Sequence, residues 1–599
     1  MGGALSRGCQ FRGALQRLQH PEEDPGAAGQ LDAAGPPILA RRHSLVLKKS
    51  PRRESLELSR SNSTCSSDFG GLREVEDLLS VSVKAVARNI RSYSAAQITA
   101  LPDDLLQRVL DELILAEGLD EQVVGLFVGQ PLTKLYLEGY PIATDRWVRG
   151  LVGTRMQELS LSFCPEMTDA SLAVLASAQD LRCLYLDCCF GLTEEGFAHL
   201  RGLRRLETLS CEGLECLGGA AMWDICQLRS LRHLNLQMCS NIQPGVEHLG
   251  NLGNLETLKL GWCKQIGGPG MAALGRLGRL RELELARCGV EDADIEYLLP
   301  LARLAKLSLA GCALTPGCVA TLARLTSLED LDVAWCPLAD HLGALDTLVN
   351  LRRLNMAYTD ISDVGLLQLQ TLRRLEDLNL DSCVVSGHGM AVCKHFPRLR
   401  KLDLSDTGVD NHGIAQLLEL KRLESMNLSY TYVTDRGMYM VKEMESLTEL
   451  NLDTRLISDE GLAKITDLRD LKRLDLFGAN ITDRGLKHLL HFKHLEHLEV
   501  CSGSITDVGV VHHISAMKSL TSLNIAQNRG ITDASMERLS TLHNLTSLNL
   551  THTSITNSGL SRLNKLDKLQ SLAVYNTKLT KAAVLQLTNA LPALQSIGV

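Results

Sequence analysis

From Leu132 onward the chain repeats a single hydrophobic and polar phrase. The pattern L-x-x-L-x-L begins at 132 and returns at 156 (with Met in first place), 181, 206, 231, 255, 280, 304, 328, 351, 375, 399, 423, 447, 471, 495, 520, 545, 569 and 594. These are 20 starts at steps of 23 to 25 residues. One full unit reads LKRLDLFGANITDRGLKHLLHFKH. Its first part alternates apolar and polar residues, which predicts a half-buried strand. Its second part opens on Thr482-Asp483 and continues through Leu486 and Leu489, which predicts a capped short helix. A unit of this kind cannot bury its apolar face alone, so the copies must stack on one another.

The repeats resemble the cysteine-containing class of leucine-rich repeats over residues 130–599. The resemblance implies an α/β horseshoe solenoid, with a parallel sheet on the concave face and short helices on the convex face. At ~4.8 Å per strand such a stack extends on the order of 90–100 Å. The ninth position of the unit holds Cys164, Cys189, Cys239, Cys263, Cys288, Cys312, Cys336 and Cys383, and elsewhere mostly threonine, as at Thr359, Thr407 and Thr431. A small donor side chain suits a strand end that turns inward, so these cysteines read as an internal ladder.

The concave face carries the candidate binding residues. Third, fifth, seventh and eighth positions are expected to point away from the core. The fifth position gives Asp or Asn, with one Glu, over ten consecutive units, from Asp332 through Asn379 and Asp403 to Asn549. This stripe reads either as ladder hydrogen bonding or as a binding surface. The eighth position gives Phe163, Trp262, Trp335, Tyr358 and Tyr430. Trp335 and Tyr358 come from neighbouring units and are expected one strand spacing apart, as edge packing or as anchors for a protein partner. The expected ligand is a protein or peptide on the sixth to thirteenth repeats, centred on Trp262, Trp335, Tyr358, Asn379, Asp403 and Tyr430.

Before the repeats stands LPDDLLQRVLDEL, residues 101–113. Pro102 with Asp103 and Asp104 in the first turn fits ordinary helix initiation, and the leucines could close the open end of the solenoid. The same letters look like the first helix of an F-box. Together with an opening Met-Gly-Gly and the LYLEGYP at 135–141, they make the chain similar to plant-type F-box-like leucine-rich repeat proteins. That resemblance implies substrate recruitment to an SCF-type ubiquitin ligase, with Leu101, Pro102, Leu105 and Leu106 touching the cullin-ligase adaptor. The sequence departs from the family in having no Val-Cys-x-x-Trp-like segment before the repeats, since Trp147 falls within the first of them. Capping and adaptor binding are compatible roles.

Residues 1–70 are rich in Gly, Ser, Pro, Arg and Glu without periodicity, a composition of disorder. They open MGGALSRGC, in which Gly2 and Ser6 satisfy an N-myristoylation pattern and Cys9 is placed for a second acyl chain. Residues 41–60 add seven Arg/Lys against two Glu. One acyl chain holds a membrane only marginally, so Gly2, Cys9 and the basic stretch together predict attachment to the cytoplasmic leaflet. Ser44 and Ser55 follow Arg-Arg-x, a context for phosphorylation that would weaken that attraction. The expected division is thus a tail at 1–70, a helical F-box-like cap at 71–131 and a solenoid at 132–599.

Composition narrows the function. The net charge of −8 combines 14 Lys/Arg against 10 Asp/Glu in residues 1–100 with an acidic remainder. An acidic body argues against nucleic acid as its partner. No run of ~18 apolar residues predicts a membrane span, and no secretory signal opens the chain. The 18 cysteines are then expected to be reduced thiols in a cytoplasmic protein. The glycine-rich 267–275 lies in a turn and lacks the lysine of a phosphate loop. His488, His491, His494 and His497 recur at steps of three, but the segment passes from helix to strand and no carboxylate or cysteine completes a metal set. We expect no metal, no cofactor and no catalytic residue.

Overall fold

The computed structural model describes residues 78–599 except Gln265, Ser502, Gly503, Pro592 and Val599. Gly2, Cys9, Ser44 and Ser55 lie outside the described residues, as does the first part of the expected cap. The repeat region forms twenty strands of three residues each, from β1 (Lys134–Tyr136) to β20 (Ser596–Gly598). Each strand pairs in parallel with the next, and the central leucines align, as in Leu354 against Leu331 and Leu378. Identical spacing fixes this register. A slip of one residue would turn every leucine out of the core. The first, fourth and sixth residues of the first nineteen units are buried, so one apolar core runs continuously from the cap to the last repeat, where Leu594 is buried and Ile597 partly so.

The other side of the units is a short α or 3-10 helix, and in most of them one recurring contact locks it to its neighbour. Asp459, the first helical residue of its repeat, accepts the backbone N–H of Thr482 at 2.9 Å and its hydroxyl at 2.6 Å. The same pair recurs from Asp483 to Thr506 and from Asp533 to Thr556. Each threonine also caps its own helix, as Thr482 does by accepting from Arg484 N–H. The glycine of the Thr-Asp-x-Gly phrase has a steric reason. A Cβ at Gly485 would overlap Oδ1 of Asp459 and stand 2.8 Å from its Cγ. Ser171 occupies that place in another repeat, and there its hydroxyl donates to Asp145 at 2.6 Å.

The ninth-position ladder is internal. Cys164, Cys189, Cys263, Cys288 and Cys312 donate Sγ–H to a backbone carbonyl of the preceding repeat at 2.9–3.1 Å. Thr359, Thr407 and Thr431 donate instead to a carbonyl three residues back in their own repeat. Burial pushes the thiols up, to about 12 for Cys189 and Cys336 and about 11 for Cys263 and Cys312. Such thiols remain protonated donors and not nucleophiles.

Four helices close the amino-terminal end: α1 (Leu78–Arg88), α2 (Ala95–Thr99), α3 (Asp103–Leu115) and α4 (Glu121–Phe127). Elsewhere in the sheet, two successive N–H groups of one repeat share a carbonyl of the repeat before, as Gln157 and Glu158 share that of Thr133. The first strand has no repeat before it. Gln107 on α3 takes that place: its Oε1 accepts from the N–H groups of Thr133 and Lys134 at 3.2 and 3.1 Å, and its Nε2 donates to the Lys134 carbonyl at 2.8 Å. A side-chain amide thus stands in for a missing strand and protects an otherwise open edge. Leu106, Val109, Leu110 and Leu113 of α3 are buried in the same core. Leu106 therefore serves the cap. Leu101 and Leu105 are half-buried and Pro102 is exposed. Among the described residues, no helix is long and apolar enough to cross a membrane.

Candidate functional site on the concave face

The eighth position is not the continuation of the strand that alternation predicts. It is a left-handed bend. Its φ is positive in every repeat from Gly139 to Asn576, apart from Thr454 and the undescribed position 502. The bend holds the N–H of this residue against the next repeat, so Trp335 still donates to the Ala357 carbonyl at 2.9 Å. Glycine fills the position at 139, 213, 311 and 478 without cost. Trp262 (φ 67°), Arg287 (60°), Trp335 (63°) and Tyr358 (56°) fill it against preference. For a side chain with a Cβ the left-handed region costs roughly 1–2 kcal/mol. Bulky residues held there while half-exposed point to a role beyond folding.

These residues form one wall across five consecutive repeats. Trp335 and Tyr358 stack with ring centroids 4.0 Å apart and planes within 6°. The guanidinium of Arg287 lies between Trp262 and Trp335, 5.2 and 5.4 Å from their ring centres. It reaches across because the intervening residue is Gly311, where a Cβ would stand 3.0 Å from Arg287 Nε. A guanidinium between two indoles gains cation–π attraction on both faces. Sequence reasoning anticipated the Trp335–Tyr358 pair and missed Arg287 and Gly311.

A floor runs beside this wall. The seventh position is Gly261, Ala286, Ala310, Ala334 and Ala357 in the same five repeats, and Gln237 and Asp381 on either side of them. Lys259, Glu284, Ser308, Asp332 and Asn355 at the fifth position form the opposite wall. The carboxyls of Glu284 and Asp332 are held above the usual carboxylate range, mainly by burial. From Ala286 to Ala357 small residues between two taller rows make a trough, closed at the Gly261 end where Gln237 Nε2 donates to Glu284 at 2.5 Å.

The Asp and Asn residues of the fifth-position stripe share a local duty. One side-chain oxygen accepts from the backbone N–H two residues on, as in Asn379 to Asp381 at 2.9 Å and Asp403 to Ser405 at 2.9 Å. The second terminal atom of each is left for a neighbour, as when Asn427 donates to Asp403 at 3.1 Å. Asn379 and Asp403 are therefore structural first. Tyr430 is exposed but separated from Tyr358 by two repeats, and it donates to Asp453. It stands outside the aromatic wall. Burial and then the charge of Asp475 push Asp453 up to about 6. His488 and His491 lie in the turn at Lys487–His491 and His497 lies on β16 (His497–Glu499). Among the described residues, no group of three or more His, Cys, Asp or Glu is placed to hold a metal.

The family follows from two matches. A leucine-rich repeat region model covers residues 189–458, and a leucine-rich repeat model matches 468–490, 516–540 and 541–563, together more than half the chain. The chain is a leucine-rich repeat protein. No curated protein matches it. Among solved structures it is similar to an internalin from Listeria monocytogenes, with 20% identity over 61% of this chain and 94% of that one and a TM-score of 0.40. A leucine-rich repeat protein of Leptospira interrogans gives 18% identity over 73% and 94%, with a TM-score of 0.38. The leucine-rich repeat ectodomain of a membrane receptor kinase from Arabidopsis thaliana gives 15% over 78% and 67%, also with a TM-score of 0.38. Leucine-rich repeat folds are typically non-enzymatic interaction scaffolds, and this solenoid is suited to protein recognition.

Proposed function

We propose that this leucine-rich repeat protein is the substrate-binding receptor of an SCF-type ubiquitin ligase, taking a protein substrate on the concave face of repeats 6–13 and the cullin-ligase adaptor on the cap. The carrying observation is the exposed Trp262–Arg287–Trp335–Tyr358 wall held in left-handed backbone, where glycine would be cheaper. Tryptophan, tyrosine and arginine are the residues that dominate protein interfaces. Pro102, with the half-buried Leu101 and Leu105, supplies the outer face of α3 for the adaptor. Co-purification tests the reading. The adaptor is expected with the parent protein and lost on Leu105→Glu, while the substrate is lost on Trp335→Ala with Tyr358→Ala. An adaptor that never co-purifies refutes the ligase role, and partners that all survive the double substitution refute the site.

The opening MGGALSRGC favours a second reading, a membrane-tethered signalling scaffold with no part in ubiquitin transfer. Acylation of Gly2 and Cys9 would place the protein on the inner leaflet, and phosphorylation of Ser44 and Ser55 would loosen it. Cell fractionation of Gly2→Ala tests this: an unchanged membrane fraction refutes lipid anchoring.

A further inference from the structure

We propose that the alanine-floored trough of repeats 7–10 and the carboxylate-lined face of repeats 11–16 hold one extended peptide segment of a partner protein, apolar in one part and rich in lysine or arginine in the other. The inference rests on the reading that the concave face binds protein, and it names the chemistry of the occupant.

The trough sets the apolar part. Ala286, Ala310, Ala334 and Ala357 leave the sheet low along four strands, beside the wall of Arg287, Trp335 and Tyr358, while over Gly261 the Gln237 amide donates to Glu284 and closes that end. Three strand spacings of ~4.8 Å make ~14 Å, the length of about four extended residues at ~3.3 Å each. A main chain can lie on alanine where it could not lie on the Gln237 or Asp381 of the flanking repeats. Side chains of the segment would then pack on the indole and phenol rings.

Charge sets the other part. Beyond Tyr358 the concave positions bring Asp381, Asp403, Asp406, Asp453, Asp475 and Glu499 onto one face. Among the described residues none of these six is ion-paired to a lysine or arginine. Of the cations on the same strands, Arg473 is spent on Glu449 at 3.2 Å and Lys401 lies beside Asp377, whose carboxyl its charge favours. Local hydrogen bonds hold several of the six, including Ser382 to Asp381 and Asn524 to Glu499. Asp406 is exposed and the other five are half-buried. Half-buried like charges without an ion pair are a standing cost that a cationic ligand relieves, and their field raises its rate of encounter. The same field repels a nucleic-acid backbone.

A phage-displayed random hexadecapeptide library, long enough at ~3.3 Å per residue to reach from the trough to Glu499, is panned on the full chain to test the proposal. Enriched sequences are expected to carry net positive charge gathered in one part and apolar residues in the other. A synthetic peptide of the enriched sequence should lose at least tenfold in affinity on Ala310→Arg, which fills the floor. It should lose as much on Asp453→Asn with Asp475→Asn, which removes charge without adding bulk, each variant being checked by circular dichroism. An enriched pool that is neutral or acidic, an absence of enrichment, or affinity indifferent to the paired aspartate substitutions overturns the proposal. A non-basic pool that still depends on Trp335 sinks this inference and leaves the recognition site standing. A pool indifferent to Trp335→Gly sinks both.

Discussion

Replacing Gly485 with alanine sets two well-known effects against each other. Gly485 lies inside the short helix Asp483–Leu486. Helix propensity alone makes alanine the better residue, by about 1 kcal/mol. The structure reverses the sign. The new Cβ overlaps the Asp459 carboxylate, so the carboxylate must swing away from Thr482 and release both of its hydrogen bonds. Each such bond to a charged acceptor contributes about 1.5–3 kcal/mol, discounted here because the site is partly solvated. The net expectation is a loss of about 2 kcal/mol. Serine should lose less than alanine, because Ser171 shows its hydroxyl can bond the same carboxylate. Urea unfolding gives the global cost, and hydrogen exchange of the amides between 473 and 499 shows whether it is local, since repeat arrays need not unfold in one step. The reasoning is refuted if the alanine variant is as stable as the parent, or if serine is as damaging as alanine.

Three further outcomes are expected. Gln107→Leu keeps the bulk of the residue but removes three hydrogen bonds at the edge of β1, so the Thr133 and Lys134 amides should exchange faster and stability fall by about 1–3 kcal/mol; unchanged protection would disprove the edge-capping role. Trp335→Gly relieves a left-handed tryptophan but breaks its stack with Tyr358, two terms of about 1 kcal/mol each and opposite sign, so thermal stability should barely move while partner binding disappears. Asp453 is raised to about 6 when folded, above its unfolded value, so its ionisation opposes folding above pH 6 and that penalty vanishes as pH falls towards 4. Asp453→Asn should then raise stability at pH 7 by about 1 kcal/mol after solvent screening and leave it unchanged near pH 4, which thermal melts at the two pH values would check.

Much of this molecule was legible as a one-dimensional pattern. The spacing of Leu132, Leu135 and Leu137, returned twenty times, specifies strand, turn and core because stacking is the only way such units bury their leucines. The Trp335–Tyr358 adjacency follows from the same arithmetic. The Thr-Asp-x-Gly phrase was visible, but its reason was not: Gly485 makes room for an aspartate 26 residues earlier, and only the stack brings the two together. The left-handed eighth position had a signal in Gly139, Gly213, Gly311 and Gly478, had that column been read down the repeats. The cap divides in the same way. Composition placed a helix at 101–113, yet it could not say that Gln107 would act as a strand edge while Leu106 turned inward.

The sequence by itself determined the repeat, its register and the identity of the residues on each face, because those depend on periodicity and burial within one unit. Only the tertiary structure decided what the faces do. Stacking converts residues about 24 apart into neighbours, so the reach of Arg287 across Gly311, the alanine floor beside it and the row of six carboxylates beyond Tyr358 exist as a surface only once the coils are piled together.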